Sequence, residues 1–330
     1  MSSVIGLDLG GTKVAVATLR DQVLGEALVA PTDCSGTDHL IDQLVALISR
    51  QRGDAELDAV GLGVPSVVEF ETGRVISSVN IPLADVPLRH VLSERLGVPV
   101  FVDNDATVAA LAEAHDEQLQ LVARNLVILT VGTGLGGGLV LGGRIYRGAT
   151  GAAAELGHQV VGIDLSGMQA VPPPSERFPR VGSLEYVASG HALDRMAAET
   201  ASEDPESELG RLSATGHRVL GPDAVEAARD GDPAAARLIE IWAERVGIGI
   251  ANAINTFDPE EVVIGGGAAE VGEMLLGPAK RVAAGYVLAG VGTRTTVRLA
   301  RHGLAAGVLG AALLAVYELK QHAPASEVVA

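Results

Sequence analysis

Two glycine-rich segments of the sequence have the residue types that bind phosphate. Residues 8–13 read DLGGTK between two short apolar runs, and residues 132–137 read GTGLGG after a third such run. Glycines let backbone amides approach a phosphate because no Cβ stands in the way, while threonine adds a donor and lysine a charge. An ordinary hairpin turn is the alternative interpretation of the first segment. The candidate phosphate-binding residues are Gly10, Gly11, Thr12, Lys13, Thr133 and Gly134.

A carboxylate precedes the first glycine segment. Asp8 could hold Mg²⁺ through water, which is how proteins usually bind this ion. The second segment also matches the G-x-G-x-x-G pattern of dinucleotide binding, but that fingerprint requires a helix directly after the glycines. Residues 138–143 read GLVLGG, which predicts a short strand and a turn. The context therefore disfavours an NAD enzyme and favours a second phosphate-binding hairpin.

Three polar residues follow a predicted buried strand and precede a predicted helix. These are Asp103, Asn104 and Asp105. One of them is expected to cap the helix, since Asp and Asn are preferred at that position. Three polar residues exceed what a cap requires, and a carboxylate at a strand end can accept a proton from a hydroxyl group. Asp105 is the candidate general base.

Further polar side chains could bind a polyol by hydrogen bonds. Glu155 and His158 are three residues apart, on one helical face or at one turn, and Glu185 stands between Leu184 and Tyr186. Surface positions are the alternative for the first two residues, and a solvated helix face for Glu185.

The elements that must position these residues alternate between strands and amphipathic helices, which predicts an α/β layer architecture. Two strand-turn-strand units about 125 residues apart indicate an internal duplication and two related lobes. Residues 162–182 are predicted to form a loop, and Trp242 is interpreted as a core anchor of a long helix. The predicted strands are Val4–Leu9, Val14–Leu19, Val23–Val29, Ala59–Val64, Val98–Val102, Leu126–Val131, Gly138–Leu141 and Glu261–Ile264. The predicted helices are Asp38–Arg50, one that ends at Leu96, Ala106–His115, Leu184–Gly210, Ala234–Ile254 and Leu304–Leu319.

Composition narrows the class of protein. The chain has 330 residues, 48% of them hydrophobic, which is enough for two globular cores. A formal net charge of −17 argues against a nucleic-acid or anionic-membrane partner, because such partners require clustered Lys and Arg. The N-terminal residues show no signal-peptide pattern, and no long uncharged apolar run is present, so we expect a cytoplasmic protein with no membrane span.

The motifs together resemble the ROK family of repressors and sugar kinases. The resemblance rests on residues 6–13, the step from Asp103 to Ala106, residues 130–138, and residues 147–151 running into 155–158, in this order along nearly the whole chain. It implies an α/β, actin-like ATPase fold of the hexokinase type, related to ribonuclease H, with two lobes built on similar five-stranded mixed sheets. The implied lobes are residues 1–115 with a returning helix at 304–320, and residues 116–303.

The resemblance also implies an activity and a set of site residues. The activity is transfer of the γ-phosphoryl group of ATP, with Mg²⁺, to a hexose hydroxyl, the 6-hydroxyl of glucose first, with Asp105 as the base. Residues 265–267 are implied to flank the adenosine: Gly265, Gly266 and Gly267. The implied sugar-binding residues are Asn80, Asn104, Asp105, Glu155, His158 and Glu185. A homodimer is expected on the same ground.

The chain departs from the family in one respect that concerns metal binding. Family members commonly carry three cysteines that bind structural zinc together with the histidine equivalent to His158. Cys34 is the only cysteine of this chain, and Ser183 stands where the last of the three is expected. A ligand set of three thiolates and a histidine cannot be assembled, so we expect no structural zinc.

Other functions remain as alternatives. The family also contains sugar-responsive transcription regulators, but those carry a DNA-binding helix-turn-helix ahead of the first strand, where this chain has three residues. A non-catalytic sugar-binding protein is disfavoured by the presence of both Asp8 and Asp105, and a polyphosphate-dependent kinase by the acidic composition. Mannose, fructose, an N-acetylated amino sugar or another polyol stays open as the substrate.

Overall fold

The computed structural model describes residues 3–78, 80–163 and 170–322. The chain divides into two compact units. Unit 1 consists of Met1–Arg124, Gly138–Ala153 and Leu304–Ala330, and unit 2 consists of Asn125–Gly137 and Ala154–Gly303. The division gives residues 116–124 and 138–153 to unit 1, whereas the family resemblance implied that they belong to the second lobe.

The strands and helices follow one another along the chain in an α/β pattern. The strands are β1 Ser3–Leu9, β2 Lys13–Arg20, β3 Val23–Leu24, β4 Leu28–Pro31, β5 Ala59–Val64, β6 Ser66–Glu69, β7 Arg74–Ser78, β8 Val100–Asn104, β9 Leu126–Val131, β10 Leu135–Leu141, β11 Arg144–Ile145, β12 Glu261–Gly265 and β13 Thr296–Leu299. The helices are α1 Thr37–Arg52, α2 Leu88–Leu96, α3 Asp105–Glu113, α4 Leu184–Ala188, α5 Gly190–Glu203, α6 Glu208–Ala214, α7 Gly221–Arg229, α8 Pro233–Phe257, α9 Glu273–Tyr286 and α10 Ala306–His322.

The first sheet contains six strands within the described residues, in the order β3-β2-β1-β5-β8, with β4 paired to β2. Strand β1 pairs antiparallel with β2 and parallel with β5, and β5 pairs parallel with β8. All six residues of β5 are buried, as expected for a parallel strand covered on both faces. The hydrophobic core includes α1, whose buried residues recur at helical spacing: Leu40, Ile41, Leu44, Leu47 and Ile48.

The second sheet repeats this strand pattern, with five strands in the described chain in the order β11-β10-β9-β12-β13. Strand β12 pairs parallel with both β9 and β13. In unit 2 the long helix α8 buries Trp242, which is 1% exposed and donates its Nε1–H to the carbonyls of Ala188 and Ser189. The core position predicted for this tryptophan is confirmed.

Helix α10 is the main covering element of unit 1. It packs on β1, β5 and α3, and its hydrophobic residues from Ala311 to Ala315 are buried. Residues Gly303–Gln321 are long and apolar enough to meet the criteria for a membrane span, but the apolar surface of α10 is used against the sheet.

Three sequence predictions about elements need correction. The strand predicted at Val23–Val29 is two strands, β3 and β4, because Gly25 turns back to donate its N–H to the Thr18 carbonyl, and this raises the first sheet from five strands to six. The helical region predicted at Leu184–Gly210 is three helices, interrupted by the caps Ser189 and Ser207. Strand β8 extends to Asn104. Residues 164–169 of the predicted loop lie outside the described residues.

Glycine lets α10 approach the sheet. A Cβ on Gly61 of β5 would lie 1.8 Å from the Ala311 carbonyl oxygen of α10, so Gly61→Ala must displace the helix. We expect a loss of at least about 1–3 kcal/mol in the free energy of unfolding, measured by urea denaturation. Gly285→Ala in α9 is the matched control, because nothing lies within 4 Å of its added methyl group and alanine favours a helix. Equal stabilities of the two variants would contradict the close packing.

Candidate functional site

The carboxyl ends of β1, β5 and β8 bring three positions of the site into register. Asp8 pairs with Gly63, and Gly63 pairs with Asp103. Neighbouring strands are about 4.8 Å apart, so the backbones of Asp8 and Asp103 lie about 10 Å from each other. A Cβ on Gly63 would come 3.4 Å from the Asp105 Cα, which places Asp105 directly over this glycine.

The start of α3 assigns the capping role. Asn104 has an extended backbone, and its Oδ1 accepts hydrogen bonds from the backbone N–H groups of Ala106 and Thr107 at 2.9 and 3.2 Å. Asn104 is therefore the N-cap. Its Nδ2 group takes no part in the capping and donates to the Ser66 carbonyl at 3.4 Å. Asp105 follows in the first turn, where the helix dipole stabilises a carboxylate.

Asp103, the residue before the N-cap Asn104, is buried and belongs to an ion-pair network. Its Oδ2 accepts from Arg147 Nε at 2.7 Å, and Arg147 also pairs with Glu318 of α10 at 3.1 Å. The guanidinium carbon of Arg147 lies 3.4 Å from the centre of the Phe70 ring. Burial raises the pKa of the Asp103 carboxyl, and the Arg147 guanidinium opposes that shift. Asp103 therefore supports the strand end and does not face a substrate, since it is 1% exposed.

The first glycine segment forms the turn between β1 and β2. The Gly10 N–H donates to the Lys13 carbonyl at 2.9 Å, and Thr32 Oγ1 donates to the Gly10 carbonyl at 2.7 Å. Asn80 lies against this turn, because a Cβ on Gly11 would meet the Asn80 Cβ at 3.1 Å. Asn80 and the predicted phosphate-binding turn are thus brought together, although they are far apart in sequence.

Asp8 precedes that turn and lies against the first turn of α10. A Cβ on Gly307 would come within 2.4 Å of the Asp8 carboxylate, so the glycine leaves room for it. Burial raises the pKa of the Asp8 carboxyl, and nearby Lys13 opposes the shift. A single hard oxygen donor of this kind fits Mg²⁺ held through water. Within the described residues, no group of three or more His, Cys, Asp or Glu side chains could hold a metal by itself.

In unit 2 the second glycine segment is tied to Glu185. The Leu135 N–H donates to Glu185 Oε2 at 2.8 Å, and a Cβ on Gly134 would overlap the same oxygen. Glu185 is in the first turn of α4, whose N-cap is Ser183, accepting from the Tyr186 N–H at 3.2 Å. Ser183, the position at which the family resemblance leads one to expect a cysteine, is thus a helix cap here.

Glu155 and His158 lie at one turn, as predicted. A 3₁₀ turn spans Leu156–His158, and the two side chains approach to 3.8 Å between His158 Nε2 and Glu155 Oε2. A Cβ on Gly157 would lie 3.3 Å from the Glu185 Cβ, so this turn packs beside Glu185. The residue before Glu155, Ala154, has φ of 69°, a left-handed conformation that side chains adopt at a cost of about 1–3 kcal/mol and that is frequent at functional sites. Glu155, His158 and Glu185 therefore form one cluster.

A cavity of about 870 Å³ opens beside the second glycine segment in unit 2. Thr133 and Gly267 line it, whereas Gly265 and Gly266 are not among its lining residues, and Gly266 packs against the Val131 carbonyl. Most of its lining was not predicted from the sequence and comes from α5, α7 and the segment after β12. These lining residues include His191, Leu220, Val225, Glu226, Arg229 and Glu270. They are scattered over loops and helices with no shared motif, so no spacing signal marks them.

Comparison with known proteins identifies the family. The ROK family model matches residues 4–318. The chain belongs to the ROK family. It is similar to a glucokinase of Halalkalibacterium halodurans, at 36% identity over 318 residues that cover 93% of this chain and 92% of the relative.

Two solved structures are similar over nearly the whole chain. A ROK glucokinase from Streptomyces griseus, in complex with glucose and AMPPNP, has a TM-score of 0.78 and 30% identity, covering 96% of this chain and all of the other (100%). A ROK hexokinase from Thermus thermophilus has a TM-score of 0.74 and 35% identity, covering 97% and 99%. The family and the actin-like fold predicted from the sequence are confirmed.

The buried network behind the site can be tested by Arg147→Leu. This change leaves the Asp103 carboxyl in the core without its cation, and we expect about 3–5 kcal/mol of lost stability. Without Arg147 the folded-state pKa of Asp103 rises further above its unfolded value, so the folded protein binds the extra proton. The loss of stability caused by Arg147→Leu is therefore greatest above that raised pKa and becomes smaller as the pH falls through it. Thermal denaturation of both proteins between pH 5 and 8 measures this.

Arg74→Leu is the matched control, because Arg74 pairs with Asp85 at the surface, where the Asp85 side chain is 81% exposed. Such pairs contribute about 0–1 kcal/mol. A loss for Arg147→Leu no larger than that of this control, or one independent of pH, would refute the role of the network.

Proposed function

We propose that this protein is an ATP-dependent hexose kinase that phosphorylates the 6-hydroxyl of glucose, with Asp105 as the general base. The observation that carries the proposal is the register of β1, β5 and β8, which brings Asp8 to the edge of the sheet at which α3 begins with Asp105. The similarity to glucokinases over more than nine-tenths of the chain supports the phosphoryl-transfer activity and the choice of glucose.

The assignment of the base depends on which residue caps α3. Because Asn104 Oδ1 accepts from two N–H groups of the first turn, Asp105 is not needed as the N-cap. Asp105 Oδ1 accepts from the Ala106 N–H at 2.8 Å, a contact that holds the carboxylate in one orientation at the helix start. A carboxylate held in this way suits proton transfer from a hydroxyl group.

The proposed reaction conserves atoms and charge. The substrate hydroxyl gives its proton to the Asp105 carboxylate while its oxygen forms a bond to the γ-phosphorus of ATP. The bond from that phosphorus to the bridging oxygen breaks, and ADP leaves with the electron pair. Positioning and charge neutralisation supply most of the catalysis in such transfers.

The remaining site residues have proposed roles in binding. Asn80, Asn104, Glu155, His158 and Glu185 are proposed to bind the sugar hydroxyls. The cluster of Glu155, His158 and Glu185 in unit 2 supports its part of this proposal, because all three are held by one turn and one helix start.

The phosphates of ATP are proposed to bind the two glycine turns, and the adenosine to enter the 870 Å³ cavity beside Thr133 and Gly267. Asp8 would hold Mg²⁺ through water, and the ion would neutralise charge on the phosphates. We further propose a cytoplasmic homodimer without structural zinc and without a nucleic-acid or membrane partner, in keeping with the single cysteine and the charge of −17.

Asp105→Asn tests the base directly. The substitution keeps the size of the side chain and removes the proton acceptor, so we expect kcat to fall by about 10²- to 10⁴-fold, or about 3–5 kcal/mol of transition-state stabilisation. The glucose Kd, measured by calorimetry, should change far less. The assay is a coupled measurement of ADP release over a panel of glucose, mannose, fructose and N-acetylglucosamine.

Asp38→Asn provides the control, because Asp38 is an exposed aspartate in the first turn of α1. It should keep wild-type turnover. A kcat above about half of the wild-type value for Asp105→Asn, when chemistry limits turnover, would rule out the base assignment.

Val225→Trp tests the nucleotide cavity. Val225 of α7 lines it, and the larger side chain would occupy part of its volume. We expect the KM for ATP to rise at least about tenfold, which corresponds to about 1.4 kcal/mol, while the glucose Kd stays within about twofold. Val122→Trp, at an exposed valine of unit 1, is the control. An unchanged ATP KM would place the adenosine elsewhere.

A further inference from the structure

The imidazole ring of His158 is in contact with an aromatic residue from the loop that follows it. The centres of the His158 and Phe178 rings are 5.6 Å apart, and their planes meet at 76°. This edge-to-face geometry is a favoured arrangement of aromatic pairs, contributing beyond the area that it buries. Phe178 is nevertheless 66% exposed, so burial does not explain its position.

The backbone brings the two residues together. The chain leaves the 3₁₀ turn of His158 and returns at Ser183, where residues 160 and 183 form a bridge and the Val161 N–H donates to the Gly182 carbonyl at 2.8 Å. A second bond runs from the Gly162 N–H to the same carbonyl at 3.0 Å. The base of the loop is therefore closed directly beside His158.

The Phe178 ring is itself restrained. The guanidinium carbon of Arg180 lies 4.4 Å from its centre, which is a cation–π contact. The Val181 N–H donates to Ser175 Oγ at 3.0 Å, which links the two sides of this part of the loop. Phe178 is thus held by neighbours on its own segment while its ring meets His158.

We propose that Phe178 is a positioning residue that fixes the orientation of the His158 imidazole for sugar binding. The ring of His158 packs against the Phe178 ring, whereas Glu155 Oε2 is 3.8 Å from Nε2, which is too long for a hydrogen bond. Without the aromatic contact the imidazole gains rotamers that do not suit the substrate, and their population weakens binding. The proposal rests on the proposed function, since it assigns His158 to the sugar.

The experiment compares Phe178→Leu with the conservative Phe178→Tyr in the full-length protein. We expect Phe178→Leu to raise both the KM and the Kd for glucose by about three- to tenfold, in line with the strength of an aromatic pair, with little change in kcat or in the KM for ATP. Phe178→Tyr should stay within about twofold of wild type. Val181→Ala, at a valine of the same loop that is 60% exposed, is the control.

A double-mutant cycle separates positioning from a structural effect. If Phe178 acts through His158, Phe178→Leu should add almost nothing to the glucose Kd in a His158→Gln background. Fully additive effects, or a glucose Kd unchanged by Phe178→Leu in the active enzyme, would overturn the proposal.

A spectroscopic readout does not depend on activity. In carbon–proton NMR spectra of the sugar-free protein, the His158 ring signal, assigned from its loss in His158→Gln, should shift when Phe178 becomes leucine and remain near its position in Phe178→Tyr. A signal that does not shift refutes the ring contact. If the wild-type protein neither phosphorylates nor binds a hexose, the proposed function and the sugar-binding role of His158 are refuted, even if the signal shifts.

Discussion

The parallel pairing of β1, β5 and β8 decides where Asp8 and Asp103 of unit 1 lie. Glycines in these strands allow helices to pack closely on the sheet beside them. Side chains alternate between the faces of a strand, so Gly61 and Gly63 share one face of β5, and Gly6 and Asp8 share the corresponding face of β1. Helix α10 approaches Gly6 and Gly61, while the start of α3 lies over Gly63. The same glycine-lined face thus receives both helices, and Asp105 reaches its position because no side chain occupies Gly63.

Helix α10 links the two acidic strand ends of this sheet. Its first turn lies against Asp8 at Gly307, and eleven residues later Glu318 joins Arg147, which pairs with Asp103. Eleven residues of helix span about 16 Å, enough to cross three strands. One rigid element from the end of the chain therefore lies against Asp8 and reaches Asp103 through Arg147. This explains why a segment far from every motif bears on the site.

Local patterns made much of this organisation predictable. The glycine turns, the step from strand β8 to helix α3 and the family all follow from adjacent residues, because turns and strand ends are determined by short-range chemistry. Three strands of the second sheet, β9, β10 and β12, follow from local patterns, whereas β11 and β13 were not predicted. Interactions that join distant segments left no such signal. Arg147 belongs to the motif at residues 147–151, but its pairing with Asp103 and Glu318 could not be predicted from spacing, and neither could the break between β3 and β4, because each depends on partners that packing selects.

In unit 2 one carboxylate connects the two kinds of predicted site. Glu185 was assigned to the sugar from the sequence, but its Oε2 accepts from the Leu135 N–H of the glycine turn, and Gly134 and Gly157 leave the space that it needs. The same turn is joined to the start of α5, because Gly190 donates its N–H to the Gly132 carbonyl at 2.7 Å. Gly134 is therefore required by Glu185, whether or not phosphate is bound. A change in the position of the turn must move Glu185 with it, since a partly buried charge-assisted hydrogen bond costs free energy to break. The proposed phosphate-binding turn and the proposed sugar-binding cluster are accordingly joined through Glu185, and a phosphoryl-transfer site requires such a connection between groups that must hold two substrates in line.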